Sequence, residues 1–344
     1  MTISVHFDNI IYTLQKKGGA SLYWQELTSR VAKNTSFKVK VTKGQKINRF
    51  LPVFSTSDIF HSSHFRTVIS KKTKLVSTIH DLNYEMGLTK SSKLGTISNI
   101  WQRQNAIEKA DAIICVSHST KKDMLKFYPK AIHQPISVIY LGVSFGSESK
   151  LNINVSERLQ NISLCLSKFA LYVGVREGYK NFNSALLGFA KSQIAKEGYY
   201  LVCTGSKFNS EEEQLINKLN LKDKILVLDY ATQSELVYLY QNAFALIYTS
   251  TYEGFGLPPL EAMSCGCPVI ASNTSSIPEV VGDAGILLDN TQDYASVAKS
   301  LDSLLNDFIR NEYVCKGLRK AKHFTWEEAA RKHMKVYESI LDKR

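Results

Sequence analysis

The feature that most limits the fold is an alternation of short apolar runs with segments of helical pattern, and the alternation occurs twice. In the first half the runs are "ISVHF", "FKVKV", "KLVSTIH", "AIICVS" and "SVIY". In the second half they are "FALYVG", "YYLVCTG", "ILVLD", "FALIYTS", "PVIAS" and "GILLD". Several are apolar on both faces, as strands of a parallel sheet covered by helices are. Parallel neighbours need a crossover, and the helical segments between the runs supply it. One of these, between "KLVSTIH" and "AIICVS", brings Ile97, Ile100 and Trp101 near helical spacing. Two such series in 344 residues predict an α/β protein of two doubly wound, Rossmann-like domains facing a cleft.

The boundaries follow from composition. Residues 1–145 form the first domain, the polar, Ser/Asn-rich stretch 146–167 a linker, and residues 168–323 the second domain. The tail 324–344 contains "FTWEEAARKHMKVYESIL", with Thr325 and Glu328 at capping-box spacing. Trp326, Ala330, Met334, Tyr337 and Leu341 then share one apolar face, which is expected to pack into a core, back toward the first domain.

Composition excludes several classes. With 44% hydrophobic and 22% charged residues the chain is globular. No run of about 18 apolar residues is present to span a bilayer. The opening "MTISVHFDNIIY" has no basic region and carries Asp8, so it reads as a strand rather than a signal peptide. Six cysteines in so long a chain do not suggest a disulfide framework, and a reduced, cytoplasmic setting is expected. Cys265 and Cys267 read as small buried filler, and His61 and His64 lack a third neighbour to make a metal site. The net charge of +12 is uneven: residues 1–150 hold 22 Lys and Arg against 9 Asp and Glu, residues 151–344 hold 21 against 22. Either the basic half meets an anionic surface or it is a solvated lysine-rich face.

Two loops carry chemistry. In "LYVGVREGYKNFNSALLGFA" a strand ends at Gly174, a loop brings Arg176 and Lys180, and a helix begins near Asn183. Cations in a strand-to-helix loop suit a diphosphate, with the helix N-terminus adding donors. The glycine spacing is not G-x-G-x-x-G, which argues against a nicotinamide dinucleotide. "TYEGFGLPPLEAMSCGCP" follows another strand. Gly254 and Gly256 admit close approach of backbone to a ligand, and Pro258 and Pro259 fit a first helical turn. Glu253 lies in the loop and Glu261 is expected in the first turn of the helix. Ionised carboxylates accept only, so each suits the vicinal hydroxyls of a sugar. Dipole complementarity alone would account for Glu261 but not for the glycines.

The block "STYEGFGLPPLEAMSCGCPVIASNTSSIPEVVGDAGILLD" resembles the signature region of family 4 retaining glycosyltransferases of the GT-B fold, whose E-x7-E motif matches Glu253 and Glu261. "YVGVREGYKN", "TIHDLNY", "CVSHSTKKDM" and "KKGGASLYWQEL" extend the resemblance over nearly the whole chain. It implies that Glu261 holds the ribose of a nucleotide sugar, and that Glu253 faces the transferred sugar. Backbone groups of Gly254, Phe255 and Gly256 would contact that sugar's hydroxyls, and Leu257 would join the donor-binding residues. Arg176 and Lys180 would bind the diphosphate, Gly18 and Gly19 would bring a loop close to it, and His80 would contact the donor sugar. The spacing from Arg176 to Lys180 is shorter than in many relatives.

The same resemblance implies His80, Glu253, Arg176 and Lys180 as the catalytic set. No metal and no cofactor are expected, because fixed cations can stabilise the charge that grows on a departing diphosphate. "YVGVREGYKN" is most similar to bacterial mannosyl- and hexosyltransferases of O-antigen, capsule or exopolysaccharide synthesis. GDP-mannose is the first expected donor and a UDP-hexose the second. A glycan or lipid-diphosphate-linked glycan is the expected acceptor, met at the inner face of the cytoplasmic membrane, with no nucleic acid partner. The alternatives are a UDP-hexose enzyme with another acceptor, a nucleotide-sugar hydrolase or epimerase, and a non-catalytic protein that binds an anionic surface.

Overall fold

The computed structural model describes residues 2–342 apart from Lys17, Lys90, Glu177 and the segment 146–167. The stretch read as a linker therefore lies outside the described residues. The chain divides into two compact units, Met1–Gly142 together with Phe324–Arg344, and Val143–His323.

In the first unit the strands are β1 (Ile3–Asp8), β2 (Phe37–Thr42), β3 (Val53–Phe54), β4 (Ile59–Ser62), β5 (Val68–Ile69), β6 (Lys74–Ile79), β7 (Ala112–Cys115) and β8 (Ile136–Val138). Six of them form one parallel sheet in the order β2-β1-β4-β6-β7-β8, and β3 pairs with β5 alongside. The order reverses direction between β1 and β4, which makes the carboxyl ends of those strands a topological switch point. Strand β4 has no counterpart among the apolar runs of the sequence. All four of its residues are buried, yet two of them, His61 and Ser62, are polar.

The polar groups of β4 are buried because distant residues satisfy them: Ser62 donates to Asp8, and His61 bonds Thr78 and Tyr337 of the helix Trp326–Leu341. That helix packs on the helix Gly19–Lys33, and Arg30 bonds Glu327 at 2.8 Å. A single backbone carbonyl fixes the direction of the hydrogen bonds beneath it. His333 Nδ1 lies 2.7 Å from the Ala329 carbonyl oxygen, which can only accept, so Nδ1 carries the proton. Burial pushes the His333 imidazole down to about 4, so the ring is neutral and Nε2 must accept. The Tyr23 hydroxyl donates to it at 2.6 Å. Tyr23 Oη then accepts from Thr78 Oγ1 at 2.9 Å, and Thr78 Oγ1 accepts from His61 Nε2 at 2.8 Å. His61, held neutral by burial, is left to accept at Nδ1 from the Tyr337 hydroxyl at 2.7 Å. Five bonds run one way through the buried core.

The tail helix differs from its sequence reading in two respects. Its buried face is Trp326, Ala329, Ala330, His333, Tyr337 and Ile340, with Met334 and Leu341 only partly buried. The polar His333 belongs to the face because the network above satisfies both of its nitrogens. The capping box is half made: Thr325 accepts from the Glu328 amide, while the Glu328 carboxylate turns to Arg331.

The helix Lys93–Lys109 departs further. It buries Gln102, Arg103, Ala106 and Ile107, whereas Ile97 and Trp101 stay exposed. Arg103 is drawn inward by Glu85, at 2.7 Å, and by the Asp81 carbonyl oxygen, also at 2.7 Å.

The second unit repeats the plan with β9 (Phe169–Val173), β10 (Tyr200–Gly205), β11 (Ile225–Asp229), β12 (Leu246–Tyr248), β13 (Val269–Ser272) and β14 (Ile286–Leu288). The order is β11-β10-β9-β12-β13-β14, all parallel. Here the switch point falls between β9 and β12. Its core is apolar, built on Leu186, Phe189, Leu201, Ile247 and Leu301, each wholly buried.

Candidate active site

The loops that leave β9 and β12 meet at the second unit's switch point, where open α/β sheets present ligands to helix N-termini. After β9 the chain passes Gly174, at φ +130°, and Gly178 to the short turn Gly178–Lys180. Asn181, left-handed at φ 51°, caps the helix Phe182–Lys191. The Thr251 amide donates to the Tyr179 carbonyl oxygen at 2.7 Å, and Thr249 Oγ1 to that of Asn181 at 2.8 Å. These bonds hold the two loops together and bring Lys180 to Glu253.

Glu253 is the hub of the cluster. Lys180 Nζ and the Tyr248 hydroxyl both donate to its Oε1, at 2.7 and 2.6 Å. Oε2 takes no hydrogen bond from the described residues, so half of the carboxylate's accepting capacity is unused. The loop backbone is anchored by serines: the Glu253 amide donates to Ser275 Oγ, and Ser276 Oγ donates to the carbonyl oxygens of Glu253 and Phe255. Gly256, at φ +102°, then caps the helix Leu257–Ser264. The positive φ favours glycine, and a Cβ there would also have to displace the tip of Ile277, 2.6 Å away.

Glu261 lies one turn deeper than its sequence reading. Leu257 is the first helical residue after the cap, so Glu261 is the fifth and no acid occupies the first turn. Dipole complementarity fades within that turn and does not explain it. The Tyr240 hydroxyl donates to Glu261 Oε2 at 2.9 Å, and burial raises the carboxyl to about 7 despite that bond.

Arg176 is turned inward. Its Nε bonds Glu212 at 2.9 Å, Nη2 bonds the carbonyl oxygens of Ser206 and Lys207, and the guanidinium lies 4.7 Å from the Phe208 ring centre. The side chain is 2% accessible. Glu212 also completes a capping box with Asn209, so Arg176 fastens the loop after β10 to the loop after β9. Only Nη1, buried and without a partner, remains to meet a ligand.

Two further residues named from the sequence lie in the first unit. Gly18, at φ +139°, caps the helix Gly19–Lys33 behind β1. His80 follows β6 with its ring edge-on to Tyr23 at 4.7 Å, and its Nε2 is buried without a partner. Burial, opposed by neighbouring Asp81, lowers its imidazole to about 4, so the ring is neutral at pH 7. A neutral ring with one unsatisfied nitrogen suits a hydroxyl rather than a phosphate. Among the described residues no group of three His, Cys, Asp or Glu could hold a metal ion.

The family models settle the lineage. "Glycosyltransferase Family 4" matches residues 19–145 and "Glycosyl transferases group 1" matches residues 166–320.

The chain belongs to the family 4 glycosyltransferases.

Its relatives include the O-antigen chain mannosyltransferase B of Escherichia coli, 38% identical over 185 residues, which are 53% of this chain and 49% of that one. O-antigen chain mannosyltransferase RfbU of Salmonella typhimurium is 29% identical over 216 residues, 61% of this chain and 57% of that one. The chain thus spans about half the length of these curated relatives. Among solved structures, a sucrose-phosphate synthase from Thermosynechococcus elongatus superposes with a TM-score of 0.78 over 99% of this chain and 100% of its own, at 17% identity. Anabaena HepE in complex with UDP-glucose gives 0.71, over 98% and 100%, at 16% identity. These likenesses establish the GT-B fold. In this glycosyltransferase Arg176, Lys180, Glu253 and Glu261 fall inside the group 1 match, Gly19 and His80 inside the family 4 match, and Gly18 just before it.

Sequence reasoning passed over the tyrosines. Tyr248 and Tyr240 each donate to one glutamate of the motif. The available signal was a tyrosine at the end of "FALIYTS", where the alternation of a buried strand aims it at the following loop.

Proposed function

We propose that this chain transfers a hexose, mannose in the first instance, from a nucleotide-diphosphate sugar to a glycan or lipid-diphosphate-linked glycan, with retention of configuration, in bacterial surface-polysaccharide synthesis. The observation that carries this reading is the cluster at the second unit's switch point. Lys180 and Tyr248 share one oxygen of Glu253, and Glu261 stands one helical turn into the next helix. The mannosyltransferase relatives supply the choice of sugar.

The roles follow from chemistry. Ribose hydroxyls donate to Glu261, and hydroxyls of the transferred sugar donate to the open Oε2 of Glu253. The Lys180 ammonium exchanges Glu253 for the diphosphate as negative charge grows on it, a contact stronger in the transition state than before it. His80 Nε2 meets a sugar hydroxyl, and Arg176 holds the diphosphate loop in shape while offering Nη1 alone. With charge compensated by Lys180 and helix N-termini, the reaction proceeds without a divalent ion. GDP-mannose is the first donor and a UDP-hexose the second.

Calorimetry and turnover across GDP-, UDP- and ADP-sugars test the reading. GDP-mannose is expected to bind and to be consumed in the presence of a lipid-linked glycan acceptor. Binding by no nucleotide sugar would overturn it.

A further inference from the structure

Exposed large apolar side chains are not scattered evenly over this molecule. Ile132, Val175, Tyr230 and Phe308 stand singly, as on any soluble protein, but nine others fall between residues 41 and 101. Their core is the outer face of the helix Lys93–Lys109. Leu94 is 81% exposed, Ile97 55% and Trp101 60%. At 3.6 residues per turn these three lie within an arc of roughly 60°. The buried residues Gln102, Arg103, Ala106 and Ile107 centre about 180° away, so the apolar stripe faces outward.

The turn Lys46–Phe50 extends the stripe. Arg49 Nη2 donates to Asn99 Oδ1, and Gln102 Nε2 donates to the Arg49 carbonyl oxygen, which tie the turn to the helix. It brings Ile47, 82% exposed, with Phe50 and Leu51. The chain then runs directly into β3, where exposed Phe54 pairs with exposed Ile69 of β5. No described residue of the first unit covers these groups.

Charge identifies the occupant. Residues 36–105 hold nine lysines and three arginines against three acids, Asp58, Asp81 and Glu85. All three acids are engaged inside the unit: Asp58 accepts from Ser4, and Asp81 and Glu85 hold Arg103. The basic residues Lys43, Lys46, Lys71 and Lys93 are exposed and lie next to the apolar groups in the sequence. Glu108, two turns beyond Trp101 on the same helix face, marks where the stripe stops. Apolar and aromatic side chains among unopposed lysines match the headgroup and acyl boundary of an anionic bilayer. A second copy of the chain would instead bring lysine against lysine.

We infer that the outer face of the helix Lys93–Lys109, with the turn Lys46–Phe50, docks this protein on an anionic phospholipid surface, Trp101 entering the interface. No described helix is long and apolar enough to cross a membrane, so this contact is peripheral. The inference rests on the reading of a lipid-linked acceptor.

The protein carries its own reporter. Of three tryptophans, Trp24 and Trp326 are each 2% exposed and Trp101 is not. Vesicles of phosphatidylcholine mixed with phosphatidylglycerol should bind the full chain and shift its tryptophan emission to the blue. Vesicles of phosphatidylcholine alone should bind it at least tenfold more weakly. Salt that shortens the screening length from about 10 Å to about 3 Å should release it. The triple variant Leu94→Ser, Ile97→Ser, Trp101→Ser should lose about tenfold or more in vesicle affinity while melting as the parent does. Trp101→Phe should keep binding and lose the spectral shift.

Equal binding to both vesicle types, or an unaffected triple variant, would overturn the inference. So would a parent that is dimeric by light scattering, with a monomeric triple variant and no vesicle binding. Nucleotide-sugar binding is measured on the same preparations: loss of it in the parent overturns the proposed reaction and leaves the surface standing, and the converse pattern does the reverse.

Discussion

The two units share a parallel-sheet plan, but the polar network under the tail helix of the first and the glutamate cluster at the switch point of the second are satisfied in opposite ways. In the first, His333, Tyr23, Thr78, His61 and Tyr337 close a one-way chain in which each donor has an acceptor. In the second, one oxygen of Glu253 accepts two hydrogen bonds and the other accepts none from the described residues, and Glu261 has burial without ionic compensation. A fully matched network in a low-dielectric core rigidifies; a partly matched one is a standing cost that only a ligand relieves. The contrast separates architecture from site more sharply than residue type does, since both regions contain titratable groups and tyrosines.

The largest expected effect breaks function without touching the fold. Lys180→Ala and Glu261→Ala should each lower turnover by about 100-fold or more in protein that still unfolds cooperatively. Near-normal turnover in either would remove that residue from the site. The mirror variant is His333→Ala. It orphans the Tyr23 hydroxyl and opens a cavity, so chemical denaturation should report a loss of roughly 2–4 kcal/mol. Nucleotide-sugar affinity should persist in the folded fraction.

The smallest effect concerns pH, and the two units should respond with opposite sign. His333 is held at about 4, below its ordinary 6.5. The folded state therefore refuses a proton that the unfolded chain takes, and stability falls as pH drops from 6.5 toward 4. Glu261 is held at about 7, above its ordinary 4.5, so the folded state keeps a proton and stability falls as pH rises from 4.5 to 7. Glu261→Gln should remove that second loss, stabilising the protein at pH 8 by roughly 2–3 kcal/mol and leaving it little changed at pH 4. Melting curves of parent and variant at both pH values measure the difference; a variant less stable than its parent at pH 8 would mean that Glu261 is ionised at no cost.

The fold was legible wherever burial selects apolar side chains. The runs at β1, β6, β7 and β9–β14 are such places, and the doubly wound class follows from them. Strand β4 was not legible, because "IFHS" owes its burial to bonds with Tyr337, Thr78 and Asp8 that lie far along the chain. For the same reason the tail helix shows Met334 to a periodicity argument while burying His333. The helix Lys93–Lys109 misled in the other sense: its apolar positions are real, but they face outward, and an arginine paired with Glu85 takes the inner face. At the candidate site the glutamates, glycines and Lys180 could be read from spacing and resemblance. The partners could not. That Arg176 clamps Glu212, and that Tyr248 and Tyr240 address the two glutamates, depend on how three loops converge.

The return of the helix Trp326–Leu341 to the first unit has a consequence for synthesis. The hydrogen-bond chain that begins at Ala329 cannot form until that helix exists, and 181 residues, Val143–His323, separate it from the rest of its unit. At the usual pace of translation that interval lasts roughly 10–40 s. Throughout it Tyr23 and His61 lack the partners that make their burial tolerable, while the second unit already has all of its strands. The unit that starts first is therefore the one completed last.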